Sequence, residues 1–103
     1  MRYIWLMSER DQILGVLRAA LPDLQRRWPI RSLALFGSIV RGDATDTSDL
    51  DVLVELERPV GLSAFIGLEE ELAALTGRRV DLVSKAALKP HIGQRILGEA
   101  VRL

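Results

Sequence analysis

The chain has 103 residues, 49% of them apolar, with 14 Lys plus Arg against 14 Asp plus Glu. That length and composition suit one packed domain, 1–103, which can hold a core without disulfides or metal staples, and the zero net charge sets up no overall field drawing it to nucleic acid or membrane. Cysteine is absent and His91 is the lone histidine, which excludes disulfides, thiolate nucleophiles and zinc sites built on Cys or several His, so carboxylates must carry any metal chemistry.

The apolar run Tyr3 to Met7 is too short for a signal-peptide core and is followed by Glu9, Arg10 and Asp11. No stretch approaches the ~20 apolar residues of a membrane span. A cytoplasmic chain is the expectation, with Tyr3 to Met7 packing on the core or against a partner. Ser8 then reads as an N-cap with acids in the first turn, and Ile13, Leu14, Leu17, Ala20, Leu21 and Leu24 follow the helical period. Pro22 predicts a break near Leu21 and a short second helix toward Arg27.

From Leu33 to Glu55 the chain reads LALFGSIVRGDATDTSDLDVLVE. The pattern predicts a strand ending at Phe36, a Gly37-Ser38 turn into a short helix through Ile39, Val40 and Arg41, a polar loop Gly42 to Ser48, and a strand Leu50 to Leu56. Side chains alternate faces along a strand, so Asp49 and Asp51 point one way and Leu50 the other. Two carboxylates at a strand start can seat a hard cation such as Mg²⁺, which binds through one or two carboxylates plus substrate phosphates. Ser38, with its hydroxyl and the N–H groups beside it, is placed to meet a phosphate, and Gly37 lets the backbone come close to that anion. Asp43 and Asp46 read as turn and loop residues.

Arg58-Pro59-Val60-Gly61 marks a turn. A helix is predicted from Leu62 with Phe65, Leu68, Leu72 and Leu75 on one face, Glu69 to Glu71 mostly wet, and Gly77 as its stop. The third strand is Arg78 to Val83. Its Asp81 is an acid in an apolar strand, which calls for a metal, an ion pair with Arg78 or Arg79, or an edge position in water. Ala86 to Leu103 predicts one more helix, with Pro90 in its first turn and Ile92, Ile96 and Leu97 facing the core. Lys89 and His91 near its start read as surface residues. The fold class is α/β (α+β): a small mixed sheet of three to four strands backed by helices, the helix between the strands at Leu50 and Val80 acting as a crossover.

Gly37-Ser38, ten intervening residues and Asp49-x-Asp51, with Arg41-Gly42 inside the gap and an apolar strand on each side, resemble the signature of the polymerase-beta-like nucleotidyltransferases. The small size narrows the likeness to minimal nucleotidyltransferases, often the antitoxin partner of a HEPN-domain ribonuclease. The motif covers residues 33–83. The resemblance implies ATP as substrate and two Mg²⁺ ions as cofactors. It makes Asp49, Asp51 and Asp81 both metal ligands and catalytic residues, and sets Gly37, Ser38 and Arg41 at the nucleotide, Arg41 as a phosphate contact or as a brace paired with a loop acid. It further implies adenylylation of a tyrosine on a HEPN-family toxin, which the antitoxin thereby neutralises.

Two rival readings remain: a binding-only antitoxin without catalysis, and nucleotidyl transfer to a small molecule or RNA end. A templated polymerase lacks room in so short a chain, and nucleic acid is not expected as a primary partner. Homo- and hetero-oligomers both stay open.

Overall fold

The computed structural model describes residues 8–103; the run Tyr3 to Met7 lies outside the described residues. Helix α1 spans Glu9–Arg27. Ser8 Oγ accepts from the Asp11 N–H at 3.1 Å, and Glu9 and Asp11 at the N-terminal end with Arg26 and Arg27 in the last turn complement the helix dipole.

The predicted break at Pro22 does not occur. Proline strands the carbonyl of Arg18 and costs a helix interior roughly 3 kcal/mol, but both residues are exposed, so that carbonyl has water available. Leu17 and Leu24, two turns apart on one face, are each fully buried. Burying such side chains is worth about 1.5–3 kcal/mol apiece, enough to hold the helix straight through the proline.

Strand β1 is Ile30–Phe36, one-turn helix α2 is Ser38–Arg41, and strand β2 is Leu50–Leu56. Helix α3, Leu62–Thr76, crosses over to strand β3, Val80–Ser84, which pairs parallel with β2. Arg78 and Arg79, expected in that strand, precede it. Gly77 closes α3 with φ +70° and returns its N–H to the Ala73 carbonyl, as a C-terminal glycine does. A 3₁₀ turn, Lys85–Ala87, leads into α4, Pro90–Glu99, and a two-residue strand β4, Val101–Arg102. The sheet runs β3-β2-β1-β4, with both β1 pairings antiparallel.

One sheet face is the core. Leu50, Val52 and Val54 of β2 and Leu33 and Leu35 of β1 are fully buried against Leu17 and Leu24 of α1 and Leu68 and Leu72 of α3. Because these residues own that face, Asp51, Leu53 and Glu55 take the other, with Phe36, Ala34 and Ser32 beside them on β1. The acids are aimed away from the core by the same alternation that builds it.

Two expectations about the helices fail. Of Glu69, Glu70 and Glu71 only Glu70 is exposed. Glu69 Oε2 accepts from the Leu82 N–H of β3 at 2.8 Å, and Glu71 accepts from Arg27 and from Trp28 Nε1. In α4, Ile92 and Leu97 are 50% and 49% exposed rather than core-facing. The helix instead buries Gly93, which packs beside Leu88 with room for an ordinary van der Waals contact. Leu75 of α3 is likewise 39% exposed. Among the described residues no helix is long and apolar enough to cross a membrane.

Candidate active site

The site forms where β1 ends and β2 begins. Phe36 pairs with Asp51 across the antiparallel ladder, so the Gly37-Ser38 turn leaves β1 directly over the start of β2. Gly37 takes φ +78° and ψ −150°, a conformation open to glycine and strained for other residues. A Cβ at Gly37 would collide with the Asp51 carboxylate. The first amides of any helix have no intrahelical acceptor, so α2 presents the N–H groups of Ser38 and Ile39 together with the Ser38 hydroxyl.

Asp51 lies opposite Asp81 in the parallel β2–β3 register, which points the two carboxylates out of the same face. Burial raises the Asp51 carboxyl above the usual carboxylate range, and the negative charges of Asp81 and Asp49 push in the same direction. Such a group gains from a nearby cation. Asp81 is exposed. Neither arginine proposed as its partner pairs with it: Arg79 Nε reaches Asp49 Oδ1 at 3.1 Å, and Arg78 pairs with Glu9.

The structure therefore brings Asp51 and Asp81 together and turns Asp49 toward Arg79. Among the described residues no three acidic or histidine side chains close around a metal position. The donor set nevertheless fits a hard divalent cation. Its atoms are all carboxylate oxygens, those of Asp51 and Asp81 standing on adjacent strands with like charge that Arg41 offsets only in part, and Mg²⁺ keeps much of its shell in water and phosphate.

Arg41 makes its ion pairs with Asp43 and Glu99 rather than with the site acids, although its charge lowers the Asp51 carboxyl against the other influences on it. Its Nε lies 3.5 Å from Asp43 Oδ2, the loop acid, and its Nη1 lies 3.3 Å from Glu99 Oε1. Glu99 also accepts from the Gly37 N–H at 2.9 Å. Lys89 and His91 are exposed at the opposite end of α4, a helix length of roughly 15 Å away. Asp46 is exposed in the loop. A hollow of about 740 Å³ lined by Glu55, Val60, Phe65 and Lys85 lies at the other ends of β2 and β3, away from the motif.

Sequence reasoning missed two residues here. Glu99 reaches the turn only through the β4 pairing, a long-range contact with no local signal. Arg78, weighed only as a partner for Asp81, is 13% exposed and spans the loop, donating from Nη2 to the carbonyls of Thr45 at 2.9 Å and Ser48 at 2.7 Å. It thereby fixes the segment that delivers Asp49.

A glycine-serine turn is pressed against paired strand carboxylates on the face of a small mixed sheet that points away from the main core. The chain belongs to the nucleotidyltransferase domain family, whose model matches residues 17–103, and it is an enzyme of that class. It is 45% identical over 95 residues to the protein adenylyltransferase MntA of Thermococcus cleftensis, covering 92% of this chain and 96% of that one. Among solved structures it is similar to a candidate minimal nucleotidyltransferase, with TM-score 0.76, 35% identity and coverage of 91% and 95%. It also resembles a mutant of the toxin–antitoxin pair MntA-HpeT, with TM-score 0.64, 26% identity and coverage of 90% of this chain and 69% of that one.

Proposed function

We propose that this chain is a Mg²⁺-dependent protein adenylyltransferase that moves AMP from ATP onto a hydroxyl of a HEPN-family toxin in the cytoplasm, and so acts as the antitoxin. The observation that carries this reading is the juxtaposition of Asp51 and Asp81 beneath the Gly37-Ser38 turn. Phosphate donors and cation ligands then share one spot. The adenylyl group and the protein acceptor follow the relative named above, and the toxin partner follows the likeness to a toxin–antitoxin pair.

Asp49, Asp51 and Asp81 would hold the Mg²⁺, which supplies charge stabilisation for the attacking and leaving oxygens of an in-line displacement. Ser38 holds the β- and γ-phosphates through its hydroxyl and N–H. The acceptor oxygen bonds to the α-phosphorus as the bond from that phosphorus to the bridging oxygen breaks; pyrophosphate leaves with the electron pair. Asp81, more exposed than Asp51, takes the hydroxyl proton. A purely binding protein would have no use for a desolvated carboxylate set beside another, since that arrangement costs free energy without a cation.

The test is transfer of label from ATP labelled at the α-phosphate, with Mg²⁺, in lysate of the source cell, comparing wild type with Asp49→Asn/Asp51→Asn. A discrete labelled protein that disappears with the variant supports the reading and identifies the acceptor. Label on RNA or a small molecule overturns the protein acceptor, and no label anywhere overturns the enzyme.

A further inference from the structure

Helix α4 ends against the usual preference of a helix. Glu99 is its last residue, and a carboxylate at the negative end of the dipole is unfavourable unless compensated. The compensation comes from the Gly37-Ser38 turn. Glu99 Oε1 accepts from the Gly37 N–H at 2.9 Å and from Arg41 Nη1 at 3.3 Å, and Oε2 lies 3.4 Å from the same nitrogen.

The sheet register explains how a residue so distant in sequence arrives there. Val101 pairs with Leu35 and Arg102 with Ala34 in the antiparallel β1–β4 ladder, and stepping that register backward sets Glu99 opposite Gly37. Leu103 adds a hydrogen bond from its N–H to the Leu33 carbonyl at 3.0 Å. β4 thus works as a clip that presses the end of α4 onto the turn. The body of α4 buries only Gly93, so the clip and Glu99 together set where this helix lies.

Both partners of Glu99 belong to the phosphate-facing motif. Gly37 carries the unusual φ of the turn, and Arg41 is gripped from two sides, at Nε by Asp43 and at Nη1 by Glu99. The Nη2 donors of Arg41 have no partner among the described residues. Stability alone is a poor reason for this arrangement, since the Glu99 side chain is 31% exposed and its pair with Arg41 half-exposed, and such pairs contribute little. Orientation is a better one: a preorganised donor set binds an anion without the cost of ordering it on arrival.

We propose that Glu99 is a positioning residue for the triphosphate. It holds the Gly37 turn and the Arg41 guanidinium so that Ser38 and Nη2 of Arg41 meet the β- and γ-phosphates, and it does not itself touch the nucleotide. This rests on the nucleotidyl-transfer reading above.

The test compares wild type, Glu99→Ala and Glu99→Gln in three measurements: binding of a non-hydrolysable ATP analogue with Mg²⁺ by calorimetry, exchange of the Gly37 amide by NMR in the ligand-free protein, and transfer kinetics. Glu99→Ala weakens analogue binding and raises KM for ATP about tenfold, the scale of one charge-assisted hydrogen bond, with kcat and the melting temperature little changed. Its Gly37 amide exchanges faster. Glu99→Gln, which still accepts from Gly37 but carries no charge for Arg41, recovers part of both effects even if the alanine variant folds poorly. In an Arg41→Ala background Glu99→Gln adds less than it does alone.

Unchanged affinity in both single variants overturns the inference while leaving the enzyme reading intact. Tighter binding overturns it too, and would make Glu99 a carboxylate that competes with the triphosphate. Failure of the wild type to bind the analogue overturns the enzyme reading and this inference with it.

Discussion

Gly37 and Asp51 are fitted to each other: the α-carbon of Gly37 rests against the Asp51 carboxylate, with no room for a Cβ between them. The same glycine has φ +78°, so a side chain there meets a clash and a backbone penalty together. Gly37→Ala is expected to lower unfolding free energy by about 1–3 kcal/mol and to cut transfer by on the order of a hundredfold, because Asp51 is displaced from the turn. Urea unfolding and label transfer check both. A variant with wild-type activity would show that the turn and the carboxylate work independently.

Asp51 gives a pH prediction with a definite sign. Its carboxyl is raised by burial, then by Asp81 and Asp49, so the folded state binds that proton more tightly than the unfolded chain. The stability it contributes is full below the unfolded Asp value of about 3.9 and is lost as pH rises through the higher folded value. Asp51→Asn removes the charge, and so raises the melting temperature of the metal-free protein at neutral pH by about 2–4 °C. The gain vanishes in acid, and transfer is abolished. Added Mg²⁺ raises the melting temperature of wild type more than that of the variant. A variant that melts below wild type at neutral pH contradicts this account.

β2 was legible to the residue because one alternation does two jobs: Leu50, Val52 and Val54 must go inward, so Asp51 must go outward. The turn at Gly37, the loop and the stop at Gly77 were legible for local reasons, each tied to a residue with few conformational alternatives. Pro22 misled because burial of Leu17 and Leu24 outweighs a local breaker. Ile92 and Leu97 misled because periodicity names a face without naming what lies against it; α4 meets the fold through Gly93 and Glu99 instead. The roles of Glu99 and Arg78 depend on contacts between distant segments, and nothing near either residue in the chain announces them.

Glu71 joins α1 to α3. Its carboxylate takes a bidentate contact from Arg27 and a hydrogen bond from Trp28 Nε1 at 3.2 Å. The Arg27 hydrogen bonds hold the Glu71 carboxyl below its ordinary range. A depressed carboxylate contributes stability above its unfolded value and loses it as pH falls through the folded one. Glu71→Gln keeps the shape but weakens the arginine contact, and is expected to lower the melting temperature at neutral pH by about 2–4 °C. The difference from wild type shrinks in acid. A pH-independent difference would assign the effect to packing rather than charge.

Arg78 couples the loop to the site. Its planar fork satisfies the Thr45 and Ser48 carbonyls with Nη2 while Nη1 meets Glu9 at the start of α1, so one nearly buried side chain fixes three segments around the approach to Asp49. Removing it leaves two carbonyls without their donor. Arg78→Ala is expected to cost about 2 kcal/mol of stability, to make the segment 43–48 the first site of limited proteolysis, and to lower kcat/KM by on the order of tenfold as Asp49 loses its anchor. Arg78→Lys keeps the charge but not the fork, and a single ammonium cannot reproduce all three contacts. It recovers less than half of the lost stability. Full recovery by lysine would mean that charge beside Glu9, and not the grip on the loop, is what Arg78 contributes.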